Sequence, residues 1–131
     1  MPDPVNNEVP TPAGPPRLDA ASLARLRELD PDGRHGVVTR VLGAFESSLA
    51  RMTSQLQAEQ GAGGDAGVVA TVAHTLKSSA ASVGALELSR ACAEIERRLR
   101  DNQPGDLGVD IARLLAAAEH ARQAVAAMLR P

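Results

Sequence analysis

Apolar side chains recur at intervals of three and four residues between positions 38 and 56, and this spacing predicts one long helix with a single buried face. The face consists of Val38, Val41, Leu42, Phe45, Leu49, Met52 and Leu56. No segment of the chain alternates apolar and polar residues convincingly enough to predict a strand. Phe45 is also the only aromatic residue, so a core has to be built from Leu, Val, Ile and Ala. Alanine-rich faces let helices approach closely, and we therefore expect an all-α fold.

Comparable patterns predict a short helix at the N-terminal end and three more long ones. Turn-forming sequences separate the segments: DPDG (30–33), GAGGD (61–65) and DNQPGD (101–106). The short helix is expected over 18–29, with Asp19 as its N-cap and Leu23, Leu26 and Leu29 as its apolar stripe. Three long helices are expected over 34–60, over 66–83 with Asp65 as the cap, and over 107–129. Another long helix is expected between the last two, with Leu88, Cys92, Ile95 and Leu99 as its stripe. Four long amphipathic helices with short loops predict an antiparallel four-helix bundle, with the short helix lying across one end.

Length and composition narrow the function classes. The 131 residues suit one domain, which we place at 18–131 behind a disordered, proline-rich tail at 1–17. The lone Cys92 excludes a disulfide framework, and no metal site is predicted. With a net charge of −2 and no dense basic block, we expect no nucleic-acid partner. No apolar run approaches a membrane span and no secretory signal is recognisable, so we expect a cytoplasmic monomer with no membrane contact.

The third predicted helix carries the stretch AHTLKSSAASVGA (73–85), which has an unusual surface. On a helical wheel its core stripe lies within roughly 60° of Leu76 and comprises Val69, Val72, Ala73, Leu76, Ser79, Ala80 and Val83. The opposite side holds Ala70, Thr71, His74, Lys77, Ser78 and Ala81. Surface positions of bundle helices usually go to long charged residues, yet Lys77 is the only formal charge between Gly67 and Leu86. This pattern predicts a flat, nearly uncharged patch around a protruding imidazole, which another protein could approach closely.

The chemistry of this patch favours a phosphoryl acceptor. An exposed imidazole is largely neutral at pH 7, so one ring nitrogen of His74 can act as a nucleophile. Lys77, one turn further along, can offer its ammonium group to an anion formed on that nitrogen. A hydrolase is disfavoured because the sequence nearby shows no acid/base pair and no oxyanion donor. The alternative is an ordinary solvated face, since a surface histidine with a lysine three residues later is common.

The same residues resemble the motif of the histidine-containing phosphotransfer (HPt) domain family. His74-Thr75-Leu76-Lys77-Ser78-Ser79 followed by Gly84-Ala85 is similar to the family's His-x-Leu-Lys-Gly-Ser and later Gly-Ala. Leu88, Cys92 and Ile95-Glu96 resemble its Leu-x3-Cys-x2-Leu-Glu. The likeness extends from about Leu18 to the C-terminus, with one departure: Ser78 stands where the family commonly has glycine.

The resemblance implies a role for each matching residue. His74 would accept the phosphoryl group on Nε2, Lys77 would stabilise the phosphoryl oxygens, and Gly84 would serve packing. The helical wheel, and not the resemblance, predicts that Ser79 supports the site as a hydroxyl donor. It also predicts the partner-facing residues, which are Ala70, Thr71, Ser78 and Ala81. The partners would be receiver domains of response regulators or hybrid histidine kinases. The chain itself would need no cofactor, because Mg²⁺ would be bound by the receiver, and it would be a phosphoryl carrier with no kinase or ATPase motif.

Residues outside the motif give weaker signals. His35 is predicted to be a solvated loop residue, His120 a boundary residue of the last helix, and Cys92 a small core residue. The run EIERRLRD (94–101) is predicted to be a solvated face, and a docking role for its arginines is the weaker alternative. Two other functions remain open from the sequence. One is a helical adaptor whose histidine is never phosphorylated, and the other is the substrate-histidine domain of a larger histidine kinase.

Overall fold

The protein is described by a computed structural model that covers residues 16–131, and this part of the chain is all-helical. Its five helices are α1 (Ala20–Arg27), α2 (Val37–Ala62), α3 (Ala66–Val83), α4 (Leu86–Arg100) and α5 (Leu107–Leu129), and no strand is present among these residues. The predicted all-α class is confirmed. Most of the predicted disordered tail lies outside the described residues, and the division into tail and domain stays a prediction.

Three of the five helices begin at an aspartate that caps the helix. The side chain of Asp19 accepts from the backbone of Ser22, that of Asp65 from Gly67 and Val68, and that of Asp106 from Gly108 and Val109. Each carboxylate satisfies N–H groups that have no partner within the first turn of a helix. The predicted caps at Asp19 and Asp65 are therefore confirmed.

The connection between α1 and α2 corrects two predictions. Leu29 is 69% exposed, so its assignment to the apolar stripe was wrong; α1 ends at Arg27, before Leu29 could turn inward. The second helix begins at Val37 rather than at residue 34. The physical reason is Asp30, whose buried carboxylate accepts hydrogen bonds from the backbone N–H groups of His35 and Val37. These bonds keep residues 34–36 in a turn and out of the helix.

The core forms where α2 and α4 each pack against both α3 and α5. Its largest fully buried side chains are Leu42, Leu56, Leu76, Leu88, Ile95, Ile111 and Leu114, with Val69, Val72, Val83, Val125 and Cys92. On α5 the buried positions are mainly alanines, which allow close approach of the neighbouring helices. Val38, Val41 and Met52, predicted in the buried face of α2, are half-buried at its edge. Within residues 16–131, no helix is long and apolar enough to cross a membrane.

Gly84 fixes α1 against the end of α3. It adopts φ 86° after the last residue of α3, a conformation that favours glycine. Its carbonyl accepts a 2.9 Å hydrogen bond from the backbone N–H of Asp19. A Cβ atom at Gly84 would lie 2.6 Å from the Asp19 backbone nitrogen, so only glycine allows this approach. The residue that ends α3 thus also places the N-cap of α1.

Candidate functional site

The centre of the candidate site is His74, in the middle of α3. Its side chain is 71% exposed, while the opposite side of the helix is buried in the core. The buried residues are Val69, Val72, Ala73, Leu76, Ala80 and Val83. The predicted core stripe of α3 is confirmed, except that Ser79 is only half-buried. The helix therefore anchors one side and presents the imidazole on the other.

Glu96 of α4 connects the two polar side chains of this face. Its Oε2 lies 2.5 Å from Nδ1 of His74, and its Oε1 accepts a 2.7 Å hydrogen bond from Nζ of Lys77. The Glu96 side chain is only 15% exposed, whereas that of Lys77 is 36% exposed. A second contact between the helices lies close by, where the Ser89 hydroxyl donates to the Lys77 carbonyl over 2.9 Å. One carboxylate thus bridges the histidine and the lysine.

This bridge favours one tautomer of the His74 imidazole. The hydrogen bond from Lys77, followed by that from His74, holds the pKa of Glu96 below its ordinary value of 4.5. The carboxylate is therefore ionised at neutral pH and acts only as an acceptor. An acceptor at Nδ1 selects the imidazole tautomer that carries its proton there. The lone pair is then on Nε2, which has no hydrogen-bond partner within residues 16–131.

One expectation drawn from the sequence was wrong in part here. Residues 94–101 were expected to be a solvated face, and Glu94, Arg97, Arg100 and Asp101 are exposed. Glu96, however, is largely covered by its contacts, and Arg98 is half-buried and pairs with Asp110. The sequence near His74 shows no acid/base pair, but the fold brings Glu96 of α4 to its Nδ1. The resemblance did include Glu96, but periodicity alone could not show that α4 turns this carboxylate toward α3.

The residues around His74 on its own helix are short and, apart from Lys77, uncharged. Thr71 and Ser78 are exposed, and Ala70 and Ala81 are half-buried. The Thr71 hydroxyl donates to the Gly67 carbonyl of its own helix, 2.9 Å away. A side chain that is bonded back to its own helix projects little into solvent.

Ser79 does not reach the imidazole. Its hydroxyl lies 3.3 Å from the Leu76 carbonyl oxygen and 3.4 Å from that of Thr75, to which it donates. Any support that Ser79 gives the site therefore passes through the backbone of α3. The prediction that it supports the site is kept in that indirect form.

The remaining candidate residues lie away from this face. His35 is exposed in the α1–α2 turn, and His120 of α5 is 55% exposed with its Nδ1 3.9 Å from Glu87. Cys92 is a free thiol in the core, as predicted, and burial raises its pKa to about 12. Among residues 16–131, no group of three or more His, Cys, Asp or Glu side chains is arranged to hold a metal ion.

Comparison with known proteins gives one family. The family model described as the Hpt domain matches residues 40–124, which include α3, α4 and most of α2 and α5. Comparison with curated proteins finds no match, and comparison with solved structures finds none. The matched segment contains His74, Lys77 and Glu96, the three side chains that the structure brings together.

Proposed function

The chain belongs to the Hpt domain family, whose members transfer phosphoryl groups through a histidine in phosphorelays, and on this basis we propose that His74 is its phosphoryl acceptor. The proposed donor is the aspartyl phosphate of a receiver domain, and a second receiver is the proposed recipient. The observation that carries the proposal is the Glu96 carboxylate 2.5 Å from Nδ1 of the exposed His74, because it prepares Nε2 as a nucleophile.

The transfer step balances without an added base. The lone pair of Nε2 attacks phosphorus in line, the P–N bond forms, and the P–O bond to the aspartate breaks with its electron pair remaining on the carboxylate. The imidazole keeps its proton on Nδ1 and becomes positively charged. Glu96, already within hydrogen-bonding distance of that nitrogen, stabilises the developing charge. The product is a phosphohistidine that can return the group to another aspartate by the reverse step.

Lys77 is proposed to stabilise the transferred group while it remains bonded to Glu96. An ammonium group has three donors, and the contact with Glu96 uses one of them. The other two are available to phosphoryl oxygens on Nε2, one helical turn away. The carboxylate thus positions the lysine as well as the imidazole.

The remaining parts of the prediction belong to this proposal. Ala70, Thr71, Ser78 and Ala81 are proposed to face the receiver, and Mg²⁺ is assigned to the receiver's aspartate site. The antiparallel arrangement of the four long helices is also part of the proposal. It is supported by the packing of α2 and α4 against both α3 and α5. Cytoplasmic location and a monomeric state remain predictions.

The test uses receiver domains phosphorylated with acetyl phosphate and then mixed with the full chain. We expect acid-labile, base-stable label on the wild-type chain and none on His74→Gln. His120→Gln is the matched control, because His120 is also an exposed helical histidine beside a glutamate but lies on α5. The proposal is wrong if His74→Gln keeps full transfer, or if no receiver labels the wild-type chain. If a kinase domain with ATP labels the chain but no receiver does, the result would support the alternative that the chain is the substrate-histidine domain of a larger histidine kinase.

Two further variants test the neighbours of His74. Glu96→Gln keeps the shape of the side chain but removes its charge, so we expect slower transfer and a shift of the imidazole proton from Nδ1 toward Nε2. Nitrogen-15 NMR of the ring measures this tautomer shift directly, and an unchanged tautomer would contradict the role given to Glu96. Lys77→Ala should slow transfer or shorten the lifetime of the phosphohistidine, with an unchanged helical circular dichroism spectrum.

The position where the chain departs from the family pattern has its own test. Ser78 is exposed one turn from His74, and its side chain is the smallest polar one that could replace glycine. We expect Ser78→Gly to raise the transfer rate modestly by giving the receiver more room. An unchanged rate would show that Ser78 does not crowd the receiver.

A further inference from the structure

Apart from Glu96, which faces α3, the charged residues of α4 lie on two sides of the helix. Its acidic residues Glu87 and Glu94 face α5: Oε2 of Glu94 lies 2.5 Å from Nη2 of Arg113, and Oε2 of Glu87 lies 3.9 Å from Nδ1 of His120. Arg98 is also on this side, paired with Asp110 of α5. The side of α4 that borders α5 is therefore a set of opposite charges that largely compensate each other.

The outward side of α4 carries a second set of charges that is only partly compensated. Arg90, Arg97 and Arg100 are exposed and follow each other at intervals of seven and three residues, which places them within roughly 80° on the helix. We call these three residues the arginine stripe. Within residues 16–131, Arg90 and Arg97 form no ion pair, and Arg100 contacts only the exposed Asp101, at 3.6 Å. The stripe thus has two arginines with no ion pair among these residues and one that shares the exposed Asp101.

The arginine stripe borders the candidate site directly. Arg97 follows Glu96 in sequence, and Arg100 is one helical turn beyond it, on the side of α4 that reaches His74. Helices in contact have axes about 8–10 Å apart. A protein partner of ordinary size covers about 800 Å² on each side, a patch about 30 Å across. A partner centred on His74 therefore also covers the outward side of α4.

From this placement we propose that the arginine stripe binds an acidic surface on the protein that exchanges phosphoryl groups with His74. The inference rests on the proposed function and adds the chemistry of the partner's contact surface. The whole chain has a net charge of −2, so the stripe is a local excess of positive charge and not a general property of the surface. Exposed charges at the rim of an interface act mainly on the association rate and on its dependence on salt. The stripe accordingly steers acidic receivers onto His74.

The test compares two variants that change the net charge equally. The first, Arg90→Gln/Arg97→Gln/Arg100→Gln, removes the stripe. The control, Arg34→Gln/Arg122→Gln/Arg130→Gln, removes three exposed arginines that lie on neither α3 nor α4. The measured quantity is the second-order rate constant of phosphoryl transfer from receiver domains that were phosphorylated with acetyl phosphate. It is measured at ionic strengths of about 0.01 M and 0.15 M, where charges interact over about 30 Å and 8 Å.

We expect the stripe variant to lose about tenfold in rate at low salt with acidic receivers, and to lose most of its salt dependence. The control variant should retain both the wild-type rate and its salt dependence. Phosphoramidate, a small phosphoryl donor that needs no docking surface, should label His74 equally in all three proteins. Equal receiver rates for the stripe variant and the control would overturn the proposal while leaving the proposed function intact. Failure of every receiver to label the wild-type chain would overturn both.

Binding measurements at an ionic strength of about 0.15 M distinguish an acidic protein surface from two other acidic partners, nucleic acid and anionic membranes. The probes are duplex DNA and vesicles of phosphatidylglycerol and phosphatidylcholine. We expect no binding that depends on the stripe. Binding to either probe that is lost in the stripe variant and kept in the control would overturn the assignment to a protein surface.

Discussion

Replacement of Gly84 by alanine tests how α1 is attached to the bundle. Two costs combine at this position. The backbone is left-handed at φ 86°, which disfavours any side chain by about 1–2 kcal/mol. The new Cβ would also lie 2.6 Å from the nitrogen and 3.0 Å from the oxygen of Asp19, both backbone atoms that cannot rotate away. Forcing such a contact apart costs a further 1–3 kcal/mol or so, which gives a total of about 2–5 kcal/mol.

Two other glycines separate these costs. Gly33 is also left-handed, at φ 69°, but nothing lies within 4 Å of its added Cβ, so Gly33→Ala should cost only the conformational part, about 1–2 kcal/mol. Gly43 lies inside α2, and its added Cβ likewise meets nothing within 4 Å. Gly43→Ala should therefore stabilise the protein by about 0.5–1 kcal/mol through its better helix propensity.

The assay is urea unfolding followed by helical circular dichroism. With a slope of about 1.5 kcal/mol per molar, Gly84→Ala should lower the midpoint by about 1–3 M, and Gly33→Ala by about 1 M. Phosphoramidate should still label His74 in the Gly84 variant, because the acceptor lies almost three helical turns away. If Gly84→Ala costs no more than Gly33→Ala, the close contact with Asp19 contributes nothing and the reasoning is refuted.

Three further predictions concern the core and the surface. Leu76→Ala, at a fully buried position beneath the candidate site, should cost about 2–5 kcal/mol in urea unfolding, and a cost below about 1 kcal/mol would contradict its tight packing. The Cys92 thiol, with its pKa raised to about 12 by burial, should react with Ellman's reagent at pH 8 only at the rate of unfolding, and fast reaction of the native protein would contradict its burial. Hydrogen bonds from Arg122 and then Gln123 lower the pKa of Glu119 from 4.5 to about 2, so its stabilising contribution is complete above pH 4.5 and is lost as the pH falls toward 2. Glu119→Gln should therefore show a flatter loss of stability over that range, and identical acid profiles would refute the assignment.

The fold was predictable from the sequence wherever it depended on one helix at a time. The core stripe of α3 follows from its own 3.6-residue period, and the caps at Asp19 and Asp65 follow from local backbone hydrogen bonding. The start of α2 was missed because the Asp30 carboxylate bonds to backbone groups five and seven residues later, an interaction that periodicity does not contain. Local patterns thus predict the helices, whereas a specific side-chain contact sets where α2 begins.

The candidate site was predictable only on the side contributed by α3. The helical wheel of α3 predicts that His74 and Lys77 are exposed. The sequence pattern of α4, by contrast, shows Glu96 only as one residue of a charged run and does not indicate its partner. The contact exists because Leu88, Cys92 and Ile95 are buried on the face of α4 that adjoins Glu96, and this fixes the rotation of the helix about its axis.

The buried residues of α4 are therefore part of the chemistry of the site. Rotating α4 by one residue would turn Glu96 by about 100°, away from His74 and Lys77. The imidazole would then lose the acceptor that selects its tautomer, and the lysine would lose the carboxylate that positions it. Core substitutions that preserve stability but change the packing of α4 should consequently alter the His74 tautomer before they alter the helical content. The selectivity of the site for Nε2 is thus set by apolar packing beneath it as much as by the three polar side chains at its surface.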